Sequence, residues 1–389
     1  MKIGYSCNPG SSDLLGPYEQ VVEQIREIAV YCDESGLDSI WFTEHHFGYF
    51  NRANLPNPLM MGVDIAARTK RIRIGLASAT IPLWHPIRLA EDAALLDQLS
   101  GGRLELGVGR GNHGVEALNL NPLADPRDVE ANYAVFAETL EILKRAFLNH
   151  TFSFTGEQYQ FPAPGFKWDR AHTVDDPDYI DKATGEVTKL SIMPRPIQQP
   201  YPPLWQMVDS NRSVEFGAEN DLGIIMWRPP VSKLKEHFLH YQSTAEAAGK
   251  QLALGQRTGI MRDFFVADSM EEAKQMAGEY VMKSLNWSNW RGPSIYLAPG
   301  ETLSSAQEEA LKKELPYDWV HPRCLLFGTP EYIVDELEKL REELNVELVL
   351  LSCDWRGMPH ELRMKSLRLF GEKVMPKLKL DTEVKQIRT

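Results

Sequence analysis

Ile72-Arg73-Ile74-Gly75-Leu76-Ala77-Ser78-Ala79, followed by the helical run Leu89–Leu99 with its stop at Ser100-Gly101-Gly102, and then by Leu104-Glu105-Leu106-Gly107-Val108-Gly109, decides the fold. A strand, a helix and a second strand at this spacing predict a parallel pair joined by a right-handed crossover. Toward the N-terminus the same unit repeats. Lys2–Cys7 reads as a strand. Tyr18–Glu34 reads as a helix with Val21, Val22, Ile25, Ile28 and Ala29 on one side and Gly36 as its stop. Ser39–Thr43 is strand-like and Leu59–Arg68 helical. Toward the C-terminus come the helix Val129–Leu148, the strand Leu204–Val208, the helix Ser213–Glu219, the strand Gly223–Trp227 and the helix Lys233–Ala248. Thr258–Val266, Glu271–Leu285, Pro330–Leu344, Glu347–Cys353 and Glu361–Val374 continue as strand, helix, helix, strand and helix. Eight strands, each followed by a helix, predict an α/β fold: a single (β/α)8 TIM barrel over residues 1–389, better than an open doubly wound sheet. The beat is interrupted twice, at 149–203 and at 286–327. The first interruption contains a short hairpin around Phe152–Phe161, and both read as loops inserted at the rim of one barrel.

The composition is that of an ordinary globular chain. Of 389 residues, 43% are apolar and 25% charged, which excludes wholesale disorder. With 54 acidic and 42 basic side chains the net charge is −12, which argues against a nucleic-acid partner. No apolar stretch approaches the ~20 residues that cross a bilayer. Met1–Tyr5 reads as the first strand and not as a signal peptide, so the expectation is a cytoplasmic protein without a membrane partner. Cys7, Cys32, Cys324 and Cys353 are scattered and predict reduced core residues.

In such a barrel the chemistry lies at the C-terminal ends of the strands. Those ends read Glu44-His45-His46-Phe47, Ala77-Ser78-Ala79, Arg110-Gly111-Asn112-His113, Asp209-Ser210-Asn211-Arg212-Ser213, Trp227-Arg228 and Asp354-Trp355-Arg356. Asp209–Ser213 offers hydroxyls and free backbone amides at a helix start, a seat for phosphate, though Ser210 or Asn211 equally serves as a plain N-cap. Arg110, at a neighbouring strand end, would supply a cation to that seat. Gly109–Gly114 fits G-x-G-x-x-G, but no helix opens on its third glycine, which argues against a dinucleotide fingerprint. His45 and His46 adjoin Glu44, yet neighbours on an extended segment point to opposite sides, so no metal site is expected. A histidine acting as general acid or base suits the mouth better. No G-x-S-x-G elbow supports acyl transfer. A sugar hydrolase would need two free carboxylates at the mouth, for which only Glu44 and Asp354 offer themselves.

Trp41–Phe47, Ile74–Ala79 with Pro82 and His85–Arg88, Ala90–Arg103, Gly107–Gly111, Asp209–Ser213 and Val374-Met375-Pro376 together resemble the bacterial luciferase-like flavin monooxygenases. The likeness runs through nearly the whole chain and is weakest at the two interruptions. It implies that reduced FMN, supplied by a separate flavin reductase, binds at the barrel mouth and reacts with O2. The resulting flavin hydroperoxide would insert one oxygen atom into a small apolar organic substrate. The resemblance places the flavin phosphate on Ser210, Ser213 and Arg110, beside Asp209. It makes Ala77–Ser78 a non-proline cis peptide under the flavin ring, and His45 the catalytic histidine. A further phosphate-binding arginine of the family falls on Tyr133 here, and Arg127 is the candidate substitute. The helices Leu59–Arg68 and Leu89–Leu99 would form a homodimer interface. The segment 286–327, with Trp287, Trp290, Tyr296 and Trp319, is either a lid or an aromatic packing loop. Two other readings share the fold: a deazaflavin-dependent oxidoreductase and a non-catalytic flavin-binding protein.

Overall fold

Eight parallel strands close on themselves. The computed structural model describes residues 1–8, 17–48 and 55–378. Its barrel strands are β1 (Lys2–Cys7), β2 (Ser39–Phe42), β3 (Arg73–Leu76), β4 (Leu104–Gly109), β5 (Leu204–Met207), β6 (Gly223–Trp227), β7 (Thr258–Val266) and β8 (Leu348–Ser352). Each pairs with the next in chain order, and β8 returns to β1 along Lys2–Leu348 through Tyr5–Leu351. Closure removes the open edges that an unclosed sheet would present. Around the barrel run α1 (Tyr18–Ser35), α2 (Pro58–Arg68), α3 (Pro86–Ser100), α4 (Val129–Leu148), α5 (Asn211–Glu219), α6 (Val231–Ala247), α7 (Met270–Trp287), α8 (Pro330–Leu344) and α9 (His360–Leu369). This is the (β/α)8 TIM barrel that the strand–helix beat predicts.

Strand alternation sorts the core into two layers. One face of each strand packs on the helices, through residues such as Ile3, Ile40, Ile74, Leu106 and Phe264. The other face fills the barrel with Trp41, Trp205, Ile225, Leu348 and Leu350. The helices stop where the local chemistry demands. Gly101 takes φ 68° at the end of α3, and Asp128 caps α4 by accepting from the Ala131 amide.

The periodicity predicts one unbroken strand over Ile72–Ala79, and here the structure differs. β3 ends at Leu76, the Ala77–Ser78 peptide is cis, and Ala79–Thr80 then pairs again with Val108–Gly109. The neighbouring strand explains how the chain fits. A Cβ on Gly107 would lie 1.7 Å from the Leu76 carbonyl oxygen, and one on Gly109 2.2 Å from Ser78 Oγ. Only glycine lets β4 approach the break so closely. The apolar pattern runs straight through it, so counting periodicity does not reveal it.

Between α4 and β5 the chain forms the antiparallel pair Phe154–Thr155 with Gln160–Phe161 and then an irregular course tied back by Phe152–Leu190. Between α7 and α8 it forms two short helices, Ser305–Lys313 and Tyr317–Cys324, and a strand, Leu326–Gly328, that pairs in parallel with Phe264–Val266. Among the described residues no helix is long and apolar enough to cross a membrane.

Candidate active site

The end of β2 delivers three titratable side chains in a row, and the structure gives them different tasks. Glu44 is buried and accepts from the Thr80 amide at 2.8 Å, from Trp84 Nε1 at 3.0 Å and from the ring of His46 at 2.9 Å. It therefore locks the end of β2 to the chain beyond β3. The bond to Glu44 holds His46 above its ordinary range, against the opposing pull of burial. His45 turns the other way, as alternation requires.

There it meets a second carboxylate. The short helix Gly114–Leu120 follows β4 and carries Glu116 in its first turn. One oxygen of Glu116 accepts from the His46 amide at 2.7 Å and lies 3.5 Å from His45 Nδ1. That contact is loose, and Nδ1 has no hydrogen-bond partner at this geometry. The His113 ring packs edge-on against His45, 5.3 Å between centroids, and Trp287 at the end of α7 lies 6.3 Å beyond it. Burial pushes the Glu116 carboxyl up, but the close approach and charge of His45 and the bond from the His46 amide outweigh it and hold the group below its usual range. Burial, reinforced by His45, pushes His113 down. The arrangement is an ionised carboxylate and a neutral imidazole flanking a central histidine, which suits proton transfer at that histidine.

The second cluster spans the ends of β4 and β5. Asn132 is fully buried on α4 and accepts from Arg110 Nη1 at 2.6 Å, while its amide nitrogen donates to the Arg110 and Ala124 carbonyls. Arg110 is thereby aimed over the ring of Tyr133, 3.9 Å from its centroid. Arg212, in the first turn of α5, lies over the same ring at the same 3.9 Å. Two guanidiniums at that distance from one centroid occupy opposite faces, so Tyr133 is held between two cations. Ser210 caps α5. Its Oγ meets the Ser213 amide at 3.4 Å and Ser213 Oγ at 3.0 Å. Ser213 is buried beneath it, with its Oγ accepting from the Asp209 and Ser210 amides and donating to the Ser210 carbonyl.

The structure thus brings His45 beside Glu116 and His113, and joins Arg110 to Ser210 through Tyr133 and Arg212. Ser213 serves as support under the helix start, and Arg127 forms a surface pair with Asp125 at 2.6 Å beside Gly114. Sequence reasoning misses Glu116, Asn132 and Arg212. Of these only Arg212 carried a local signal, its place inside the quoted Asp209–Ser213 run. Neither carboxylate that a sugar hydrolase would need is free. Glu44 is engaged as described, and Asp354 accepts from Tyr5 and the Asn8 amide and pairs with Arg363 at 2.9 Å. All four cysteines are buried. Among the described residues no cluster of three or more His, Cys, Asp or Glu is arranged to hold a metal ion.

The profile of a family described as luciferase-like monooxygenase matches residues 1–347. A flavin-dependent trigonelline monooxygenase, oxygenase component, from Acinetobacter baylyi is 26% identical over 92% of this chain and 90% of its own length. The alkanal monooxygenase alpha chain of Photobacterium leiognathi is 24% identical over 97% and 99%. Among solved structures, the oxygenating constituent of 3,6-diketocamphane monooxygenase from Pseudomonas putida, in complex with FMN, superposes with a TM-score of 0.74 at 20% identity over 98% and 99%. An F420-dependent secondary alcohol dehydrogenase superposes at 0.66, with 16% identity over 96% and 98%. A barrel with this arrangement of residues at its mouth, matched over most of its length by that profile, belongs to the luciferase-like monooxygenase family.

Proposed function

We propose that this chain is the oxygenase component of a two-component flavin-dependent monooxygenase, which takes reduced FMN from a separate reductase and, with O2, inserts one oxygen atom into a small organic substrate. The observation that carries the reading is the Arg110–Tyr133–Arg212 stack beside the Ser210 cap. Arg110, a serine hydroxyl and a helix start are a donor set for a phosphate monoester, and Arg212, whose two terminal nitrogens donate to Glu130 at 2.6 and 2.9 Å, would join them by exchanging that surface pair for the ligand. Gly107 and Gly109 let the chain at Ala77 and Ser78 pack directly against β4, and that bend is the surface proposed to back the flat ring of the nucleotide.

Arg110, Arg212 and Ser210 would hold the phosphate, with Asn132 fixing Arg110 and Ser213 bracing the turn at Asp209. Ala77 and Ser78 would back the ring. When bound, reduced FMN supplies the two electrons that activate O2. The chain's own contribution is a proton at His45 and the exclusion of water. Glu116, an anion near Nδ1, favours the tautomer protonated there and leaves Nε2 to accept or return a proton. Trp287 and the segment 286–327 would wall the site from solvent, and 286–327 with 149–203 would form rim insertions on one domain. The exposed Met60, Leu95 and Leu99 on α2 and α3 would be covered in a homodimer.

Anaerobic titration tests the reading. The protein should take up reduced FMN and not a reduced deazaflavin, and Arg212→Ala should weaken uptake about ten-fold, the scale of one charged hydrogen bond. Uptake of the deazaflavin alone would make the chain a hydride-transferring relative, and uptake of neither would end the proposal.

A further inference from the structure

Beyond the phosphate seat, the ends of β6 and β7 hold a second cationic site that no role above accounts for. Ile225 lies in the barrel interior, so Trp227, two residues on, is the last inward residue of β6. Met261 packs on the same interior layer, which places Asp263 inward on β7 by the same rule. Arg228 follows Trp227 with φ 82°, a backbone setting that returns its side chain over the Trp227 indole, 3.6 Å from the ring centroid. Only 5% of Arg228 is exposed.

Among the described residues no carboxylate forms an ion pair with this buried cation. Arg228 donates to Ser288 Oγ, and its Nε has no partner. Asp263 is close enough to feel its charge, but the two Asp263 oxygens accept from Trp227 Nε1 at 3.2 Å and Trp355 Nε1 at 2.7 Å. The hydroxyl of Tyr296, fully buried, faces Arg228 without completing a hydrogen bond of ordinary geometry. Arg228 is thus a buried cation whose neighbouring carboxylate, Asp263, is bonded to two indoles instead, with an unbonded N–H and the Tyr296 hydroxyl beside it. A buried charge without a bonded counter-ion is costly, so an anion supplied by a ligand would be favoured here. Ser288 adjoins Trp287, whose ring lies 6.3 Å from that of His113, which in turn packs on His45, so this corner neighbours the mouth already described.

We propose that Arg228 and Tyr296 form the subsite for a carboxylate on an otherwise apolar, ring-shaped substrate, with Trp227 as the surface under it. The inference rests on the oxygenase reading and narrows its substrate to organic acids.

The test uses benzoate and cyclohexanecarboxylate against their carboxamides, titrated calorimetrically into the full chain with inorganic phosphate present throughout to occupy the Arg110–Arg212 seat. The acids should bind at least about ten-fold more tightly than the amides. Arg228→Met, which keeps the stacked stem without the charge, should abolish that preference, and Arg228→Lys should keep part of it. Equal affinity of acid and amide in the wild type, or a preference that survives in Arg228→Met, overturns the subsite. Where the methionine variant does not fold, the Arg228 Nε–H resonance of the wild type, assigned through Arg228→Lys, decides: a shift on adding benzoate supports the subsite, and an unmoved signal overturns it. Uptake of reduced FMN measured on the same samples separates the two readings. Acid binding without flavin uptake removes the oxygenase reading alone, and flavin uptake without acid preference removes the subsite alone.

Discussion

His45 and His46 are chemically identical neighbours, and the carboxylate each one faces makes them different. His46 is held above its ordinary range by Glu44. Its contribution to stability is therefore full below the unfolded value near about 6.5 and is lost as pH rises through the raised folded value. His46→Asn should cost stability at about pH 6 and much less at about pH 9, as urea unfolding at the two values would show. A gap that stays constant would mean the pair has no electrostatic role. His45 is the proton carrier of the proposed reaction. His45→Ala should leave reduced FMN binding intact and lower coupled oxygenation by ~10²-fold or more, read as product formed per flavin oxidised. Product yields equal to wild type would remove it from the mechanism. His45, Arg110 and Ser210 were legible because each follows a strand whose end the hydrophobic beat marks. Glu116 and Asn132 were not, because each sits on a helix, and Arg212 was marked only by its place inside the Asp209–Ser213 run. Which helical face meets the mouth depends on how that helix packs, and no local pattern encodes that.

Elements are the scale at which the sequence reads best and also where its main miss lies. β1, β4, β6 and β7 run over the residues that alternation and apolar runs predict, and α4 and α8 likewise match their predicted ends. The break after Leu76 escapes the periodicity because its cause lies on another strand, in the glycines of β4, whereas the resemblance does place the cis peptide found at Ala77–Ser78. Gly107→Ala would drive a methyl group into the Leu76 carbonyl, two backbone groups that have no flexible side chain to yield. A loss of about 3 kcal/mol, the upper end for overpacking, is expected in chemical unfolding. A neutral result would show that β3 and β4 slide apart freely. Ser213→Ala is milder. It leaves the Asp209 and Ser210 amides without their acceptor and should cost about 1 kcal/mol, the scale of a helix cap, while also weakening reduced FMN uptake.

For the whole molecule, the exposed apolar positions on α2 and α3 bear on assembly. Leu95 and Leu99 lie one turn apart, 45% and 55% exposed, and Met60 is 71% exposed. Sedimentation should find twice the mass of one chain, and Leu99→Lys should return it to a single chain; a wild-type monomer would rule the interface out. One feature of the architecture shapes the excursion between α7 and α8. It leaves from the end of a long helix and is stitched back onto β7 by the rung Leu326–Gly328. Within it, Asn289 reaches the Leu311 carbonyl and Arg323 grips Glu301. A flap clamped at both margins and cross-tied inside does not unravel from a loose end. If it lifts, it lifts as one panel, and its amides would exchange with deuterium in concert.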